Sequence, residues 1–162
     1  MDLEPLGPAE TQRPCRAQAA EAGETPRRRK NFNLHTGDDF CCHRLLNAME
    51  PESYIRPHRH LDPAKDESMV MVRGRMGVLV FDEAGNIRSR TIIAASGNAV
   101  AVDIPHGLFH TVVSLESGTA FFEAKAGPYL ALTDEEKGKW APAEEEAEAA
   151  EYLARLKRLL NG

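Results

Sequence analysis

The chain has 162 residues, 42% of them hydrophobic and 28% charged, which is the composition of a globular protein able to bury one core. Its net charge of −5 argues against nucleic acid as a partner, because no basic stripe dominates the sequence. No apolar run reaches the roughly 18 residues of a membrane span, and the N-terminus lacks the apolar segment of a secretory signal. The odd count of three cysteines, with Cys41 and Cys42 adjacent, predicts a reducing, cytoplasmic location.

The N-terminal residues 1–28 are rich in Pro, Ala, Glu and Gln and poor in large apolar side chains. Such a segment cannot bury enough surface to offset the entropy lost on ordering. We therefore predict a mobile N-terminal tail over residues 1–28, a β domain over residues 29–140 and a helix over residues 141–162. The basic run at residues 27–30 is interpreted as a solvated patch beside the tail.

The central part of the chain reads as short β-rich runs separated by turn signals. Residues 82–86 and 116–118 hold the Gly and Asn residues that tight turns need. Many short strands at this spacing are typical of a β-sandwich or barrel, and we predict an all-β fold. The predicted strands cover residues 69–72, 76–81, 87–94, 98–104, 110–115 and 119–124.

The C-terminal segment changes to a helical pattern. Pro142 stands where a first helical turn would begin, glutamates follow it, and Arg155 and Arg158 lie near the other end, a polarity that complements the helix dipole. The apolar side chains recur at helical spacing, which predicts a helix packed on the exterior of the barrel. These side chains belong to Tyr152, Leu153, Leu156, Leu159 and Leu160.

A group of four residues has the chemistry of a metal site. His58 and His60 are separated by one residue, so a strand would turn both imidazoles to the same face. Glu67 follows after a loop, and His110 follows a turn that contains Pro and Gly. Three imidazoles and one carboxylate suit a divalent first-row transition metal. The order of these residues favours a metal site over a solvated loop that happens to contain histidines.

This order resembles the two sequence motifs of the cupin superfamily. The first motif has two histidines, a glutamate and a glycine, and the second has Gly, Pro, Gly and His. The spacer between His60 and Glu67 is longer than in the first motif, and Ser114 stands where the second motif has Asn. The resemblance implies a small double-stranded β-helix, or jelly-roll barrel, with metal ligands at His58, His60, Glu67 and His110. The corresponding segments are His58 to Gly74 and Gly97 to His110.

Four further segments are similar to the WbuC family of cupin-fold metalloproteins, which shares the longer spacer before Glu67. That family is associated with bacterial O-antigen and polysaccharide gene clusters. The resemblance implies a bacterial protein with a small-molecule ligand, such as a sugar or nucleotide sugar, and it leaves a homodimer open. The segments are RKNFNLH at 29–35, RLLNA at 44–48, YIRPHRH at 54–60 and GPY at 127–129.

Two classes of function stay open at this point. The first is an enzyme with one divalent transition metal, Fe, Mn, Ni or Zn, and a cupin-type isomerase, epimerase or oxygenase reaction. Four protein ligands in an octahedral shell would leave positions for substrate, as a catalytic metal requires. The second is a metal-dependent binding or regulatory module without turnover. No acid–base pair stands out in the sequence, so the catalytic residues stay unknown.

The segment RKNFNLH alternates polar and apolar residues. This alternation sets Asn31, Asn33 and His35 on one face and Phe32 and Leu34 on the other. If Phe32 and Leu34 pack into the barrel wall, the polar residues face outward as on an ordinary edge strand. If the strand crosses the barrel mouth, Asn33 and His35 can bind a polyhydroxylated ligand. We name Asn33 and His35 as candidate substrate-binding residues.

Three other polar residues could in principle contribute to the site. His106 lies in the turn before His110 and is interpreted as an exposed loop residue. His43 has no partner at ligand spacing, and we interpret it as structural. Glu123 is expected either to point inward, as a hydrogen-bond acceptor behind the metal ligands, or to lie on the surface.

Overall fold

Two antiparallel sheets face each other in the structure, a computed structural model that describes residues 17–162. One sheet has five strands in the order β1-β2-β8-β3-β6, and the other has three in the order β5-β4-β7. The predicted all-β fold is therefore confirmed. The strands are β1 Arg29–Asn33, β2 Cys42–Met49, β3 Glu67–Arg73, β4 Arg75–Phe81, β5 Ile87–Ala94, β6 Ala101–Ile104, β7 Phe109–Ser114 and β8 Thr119–Ala126.

The core between the two sheets follows from the alternation of side chains along the strands. Buried and exposed residues alternate along the first five positions of β3, beginning with the buried Glu67. Met69 and Met71 follow Glu67 on the inner face, and Phe121 of β8 lies opposite Met71. The polar end of this core holds the candidate site, and its apolar end is filled by Met49, Met69, Met71, Met76, Val78, Ile93, Ile104, Val112 and Phe121.

A second apolar cluster covers the outer face of the three-stranded sheet. It joins the outward residues of β4 and β7 to helix α2, which spans Ala149–Asn161. Leu156 is fully buried there, and Gly77 of β4 makes room for the side chain of Leu160. The predicted packing of a C-terminal helix on the outside of the barrel matches this arrangement.

The start of this helix differs from the sequence expectation. The helix begins at Ala149, whereas Pro142 was expected in its first turn. The residues between them form turns, and the carbonyl of Pro142 accepts a hydrogen bond from the Tyr54 hydroxyl at 2.9 Å. Glu146 accepts a hydrogen bond from the Ala143 N–H at 3.0 Å. These contacts hold residues 142–148 in a non-helical path that the sequence pattern alone does not reveal.

The N-terminal segment also differs from the expectation. Residues 17–24, placed in a mobile tail by their composition, are helical and form α1. Ala22 is fully buried, and Glu21 pairs with Lys30 of β1 at 3.5 Å. A small side chain such as alanine can pack against the barrel although it contributes little apolar surface. The argument from composition therefore underestimates how ordered this segment is. Residues 1–16 of the predicted tail lie outside the described part of the chain.

No helix within residues 17–162 is long and apolar enough to cross a membrane.

Candidate metal centre

The four predicted metal ligands come from three parts of the fold. Glu67 is the first residue of β3, and His110 is the second residue of β7. His58 and His60 lie on the segment before β3, which is extended but is not a strand of either sheet. The prediction that these two histidines lie on a strand is therefore wrong. An extended chain outside a sheet still alternates its side chains, and His58 forms an isolated bridge with His110.

The structure brings these residues together at the polar end of the core. The candidate ligand atoms of His58, His60 and Glu67 all lie within 4.8 Å of one another. His110 joins them because its Nε2 lies 3.0 Å from Oε2 of Glu67, and Nε2 of His60 lies 3.0 Å from Oε1 of the same carboxylate. The ring centroids of His58 and His110 are 4.7 Å apart. Glu67 and His110 are almost fully buried.

The hydrogen bonds of two of the imidazoles, those of His58 and His110, indicate which nitrogen faces the centre. Nδ1 of His58 lies 3.1 Å from the carbonyl oxygen of Arg56, and Nδ1 of His110 lies 2.9 Å from that of Leu108. A carbonyl can only accept, so each Nδ1 carries a proton and each Nε2 is the nitrogen that faces the centre. Nε2 of His110 lies 3.0 Å from a carboxylate oxygen of Glu67. An imidazole nitrogen and a carboxylate oxygen this close share either a proton or a metal ion.

The protonation states also suit a metal. Burial, reinforced by the neighbouring His110, lowers the pKa of His58 to about 3, so this imidazole is neutral at pH 7. Burial opposes ionisation of Glu67, but the imidazoles of His110 and His60 and the ammonium of Lys125 outweigh it and hold the pKa of Glu67 well below its usual value. Neutral imidazoles and an ionised carboxylate are the forms that bind divalent metals. The residues present therefore fit a transition-metal ion.

A chain of charged and polar side chains continues from Glu67 across the inner face of the five-stranded sheet. Nζ of Lys125 lies 2.7 Å from Oε1 of Glu67 and 2.8 Å from Oε1 of Glu123. The Asn47 amide donates to Oε2 of Glu123 at 2.7 Å. Burial lowers the pKa of Lys125, but the two carboxylates outweigh this effect and raise it, so the lysine is an ammonium. Glu123 points inward, which is one of the two orientations predicted for it.

A cavity of about 490 Å³ opens beside this row of polar side chains. Its wall includes His58, Glu67 and His110, so a molecule in the cavity can reach the candidate metal centre. Amide and imidazole side chains line the part of the wall formed by β1, β2 and the segment between them. These side chains belong to Asn31, Asn33, His35, His43 and Asn47.

The two candidate substrate-binding residues both lie on this wall. Asn33 is exposed, and its Oδ1 accepts a hydrogen bond from the Asn31 amide at 2.8 Å. His35 is buried and stacks on His43, with ring centroids 4.1 Å apart. Phe32 on the opposite side of the strand is 40% exposed, so the alternative in which Phe32 and Leu34 pack into the barrel wall does not hold. The polar face of β1, and not its apolar face, is turned toward the cavity.

The remaining polar residues divide into those inside the cavity and those outside it. His106 is exposed and pairs with Asp66 at 2.8 Å, away from the candidate metal ligands. Sequence reasoning missed Lys125 and Asn47. The period-two pattern of β8 puts Lys125 on the same face as Glu123, but only the strand register shows that Lys125 lies opposite Glu67.

Comparison with solved structures shows the class of fold. KdgF from Halomonas sp. aligns with a TM-score of 0.50 and 16% identity over 65% of this chain and 84% of that chain. The conserved SPY1581 protein of unknown function from Streptococcus pyogenes aligns with a TM-score of 0.49 and 10% identity over 67% of this chain and 86% of that one. An oxalate decarboxylase variant from Bacillus subtilis aligns with a TM-score of 0.45 and 20% identity over 56% of this chain, which spans only 22% of that chain. The likeness to KdgF and the two facing antiparallel sheets define a jelly-roll fold of the cupin type.

The family is shown by the sequence itself. The chain belongs to DUF6016, a family of domains of unknown function, whose model matches residues 11–93. The matched part contains His58, His60 and Glu67 and ends before His110 and Lys125. No curated protein matches the chain.

Proposed function

We propose that this protein is a metal-dependent cupin in which His58, His60, Glu67 and His110 bind one divalent transition metal, Fe, Mn, Ni or Zn. The observation that carries the proposal is the buried Glu67 carboxylate, which has an imidazole Nε2 3.0 Å from each of its two oxygens. Hydrogen bonds from Nδ1 to backbone carbonyls orient two of the rings, as is usual for histidines that bind metals. The absence of thiolates from the set argues for a site with open positions over a closed structural zinc site.

We propose further that the protein is an enzyme acting on a small polar molecule, such as a sugar or nucleotide sugar. The cavity of about 490 Å³ is of the size that holds one such molecule. Amides from Asn33 and Asn47 offer both donors and acceptors to hydroxyl groups. A bound metal would supply Lewis-acid polarisation of a substrate oxygen. In this proposal the amides and His35 orient the substrate. The Glu67 carboxylate supplies a negative charge that partly neutralises the metal ion.

The resemblance of four segments to the WbuC family supports a role in bacterial polysaccharide or O-antigen biosynthesis. One of those segments, residues 29–35, contributes Asn31, Asn33 and His35 to the cavity wall, and another, residues 54–60, contains His58 and His60. The shared residues therefore lie at the candidate site. This coincidence favours a ligand common to that family over an unrelated one.

The competing proposal is a binding module that holds a ligand without turnover. One experiment separates the two. Protein purified without a nickel column is analysed for its metal content, reloaded with that metal and incubated with a panel of nucleotide sugars. Product formation by the metal-loaded protein supports the enzyme, and binding without product supports the module. Protein that contains no metal and takes none up overturns the proposed metal site.

The substrate-binding residues need a separate test. Asn33→Ala and His35→Ala are expected to keep the metal but to weaken binding of the sugar ligand by about fivefold to tenfold, which is the effect of losing one hydrogen bond. Asn86→Ala is a matched control, because Asn86 lies in the turn before β5 and away from the cavity. Wild-type affinity in both cavity variants would confine ligand binding to the metal centre.

A further inference from the structure

Lys125 has a hydrogen-bond donor that no described residue uses. A lysine ammonium carries three N–H donors, and two of them are directed to Glu67 at 2.7 Å and Glu123 at 2.8 Å. Among residues 17–162 the third has no partner. The side chain is 22% exposed and lies on the cavity wall, so a molecule in the cavity can contact it.

The charges around Lys125 determine what such a molecule should carry. Glu67 and Glu123 each contribute one negative charge and Lys125 one positive charge, so the inner end of the cavity has a net charge of −1. One divalent cation changes this to +1. Lys125 is therefore the residue that makes the metal-loaded site cationic, since the same site without it would be neutral.

Other charged residues of the cavity wall do not alter this balance. Arg29 is bound to Glu144 at 2.7 Å, and Lys30 pairs with Glu21 at 3.5 Å. Arg27 and Asp38 are both exposed and have opposite charges. A net positive charge that is largely removed from water is stabilised by an anion of equal charge.

We propose that Lys125 is an anion-binding residue and that the ligand of this site is a small hydroxylated monocarboxylate. One carboxylate oxygen of the ligand accepts the third N–H of Lys125 beside the metal, and its hydroxyl groups reach the amides of Asn47 and Asn33. This inference rests on the proposed metal site. Among the small polar ligands proposed above, it selects a sugar acid over a neutral sugar or a nucleotide sugar, and it names the residue that makes this selection.

The test uses the intact chain loaded with Co²⁺ and acetate as the probe. Acetate is a small carboxylate without hydroxyl groups, so it reports on the carboxylate position alone. Its binding is followed in the visible absorption of Co²⁺ at saturating metal. Lys125→Met is expected to weaken acetate binding by about tenfold or more, because it removes a charge-assisted hydrogen bond. Lys125→Arg, which keeps the positive charge, is expected to retain most of the affinity.

A second variant should act in the opposite direction. Glu123→Gln keeps the shape of the side chain and removes a negative charge, so acetate binding should become several times tighter. Lys139→Met is the matched control, since it makes the same change at an exposed lysine outside the cavity and should leave the affinity unchanged. Glycerol, a neutral polyol, should bind equally well to the wild type and to Lys125→Met. An unfolded variant would lose binding of both acetate and glycerol, so unfolding cannot produce these results.

The outcomes separate the two proposals. Wild-type protein that fails to bind Co²⁺ overturns the metal site and this inference with it. Protein that binds Co²⁺ but shows no acetate binding overturns only the inference. The same holds if Lys125→Met keeps its acetate affinity within twofold, or if Glu123→Gln weakens that affinity. If Lys125→Met does not fold, tighter binding in Glu123→Gln together with retained binding in Lys125→Arg supports the proposal, and the reverse overturns it.

Discussion

His58 and His110 are joined through their backbones as well as placed side by side. The His58 N–H donates to the carbonyl of His110 at 3.0 Å, and the His110 N–H donates to the carbonyl of His58 at 2.8 Å. This reciprocal pair anchors a segment that belongs to neither sheet against a strand that does. The relative position of the two imidazoles is therefore determined by backbone geometry and does not depend on side-chain packing alone.

The first prediction concerns the histidines. The His58→Ala/His60→Ala double variant should lose the bound metal, because it removes two of the four proposed ligands while leaving the strands intact. Metal content is measured by elemental analysis of protein purified without a nickel column. His106→Ala is the control, since His106 is exposed and its ring contacts Asp66. Undiminished metal in a folded double variant would contradict the assignment.

The second prediction concerns Glu67. Glu67→Gln should weaken metal affinity by more than about 100-fold, because losing an outer hydrogen-bond partner of a ligand already costs about 10- to 100-fold and this change removes the only carboxylate ligand proposed. Affinity is measured by competition with a chelator. Glu116→Gln, at an exposed glutamate that pairs with Arg75 at 3.8 Å, provides the control. Equal affinities in the two variants would show that Glu67 is not a ligand.

The third prediction concerns the packing of helix α2 on strand β4. A Cβ on Gly77 would overlap the buried side chain of Leu160, so Gly77→Ala should lower the free energy of unfolding by about 1–3 kcal/mol. Leu160→Ala removes the overlapping atoms, and the double variant should be more stable than the sum of the two single effects predicts. Denaturant unfolding measures all three variants.

The control for that experiment is the same substitution in open space. Gly23→Ala adds a Cβ that meets nothing within 4 Å in helix α1, and it should be neutral or stabilise the protein by up to about 1 kcal/mol. A loss of stability at Gly23 equal to that at Gly77 would show that the contact with Leu160 is not the cause.

The fourth prediction concerns helix α1. Ala22 is fully buried, so Ala22→Arg should destabilise the protein by about 1–3 kcal/mol. Ala20→Arg places the same side chain on the exposed side of the same helix and should change stability by less than about 0.5 kcal/mol. Thermal or denaturant unfolding distinguishes them. If the two variants are equally stable, α1 does not pack against the barrel.

The sequence contained enough information to predict the sheets and the residues of the candidate site. Alternating apolar residues in short runs led to the strands, and the spacing of His58 and His60 turned both rings to the same side even though the expected strand is absent. The prediction succeeded there because side-chain alternation is a property of extended chain in general.

Features that depend on contacts between distant segments could not be predicted in this way. Lys125 became part of the site only through the register that places it opposite Glu67. Helix α2 starts later than its glutamates suggest, because Tyr54 binds the carbonyl of Pro142 from a distant loop. In α1, one small residue, Ala22, is buried, and composition does not distinguish a packed alanine from an exposed one.

The wide separation of the proposed metal ligands along the chain has a consequence for biosynthesis. Translation produces His58, His60 and Glu67 first, while His110 and then Lys125 follow with β7 and β8. The complete donor set therefore exists only after nearly the whole barrel has left the ribosome. A metal held by all four residues connects early and late parts of the polypeptide, so its binding energy adds to the stability of the finished fold.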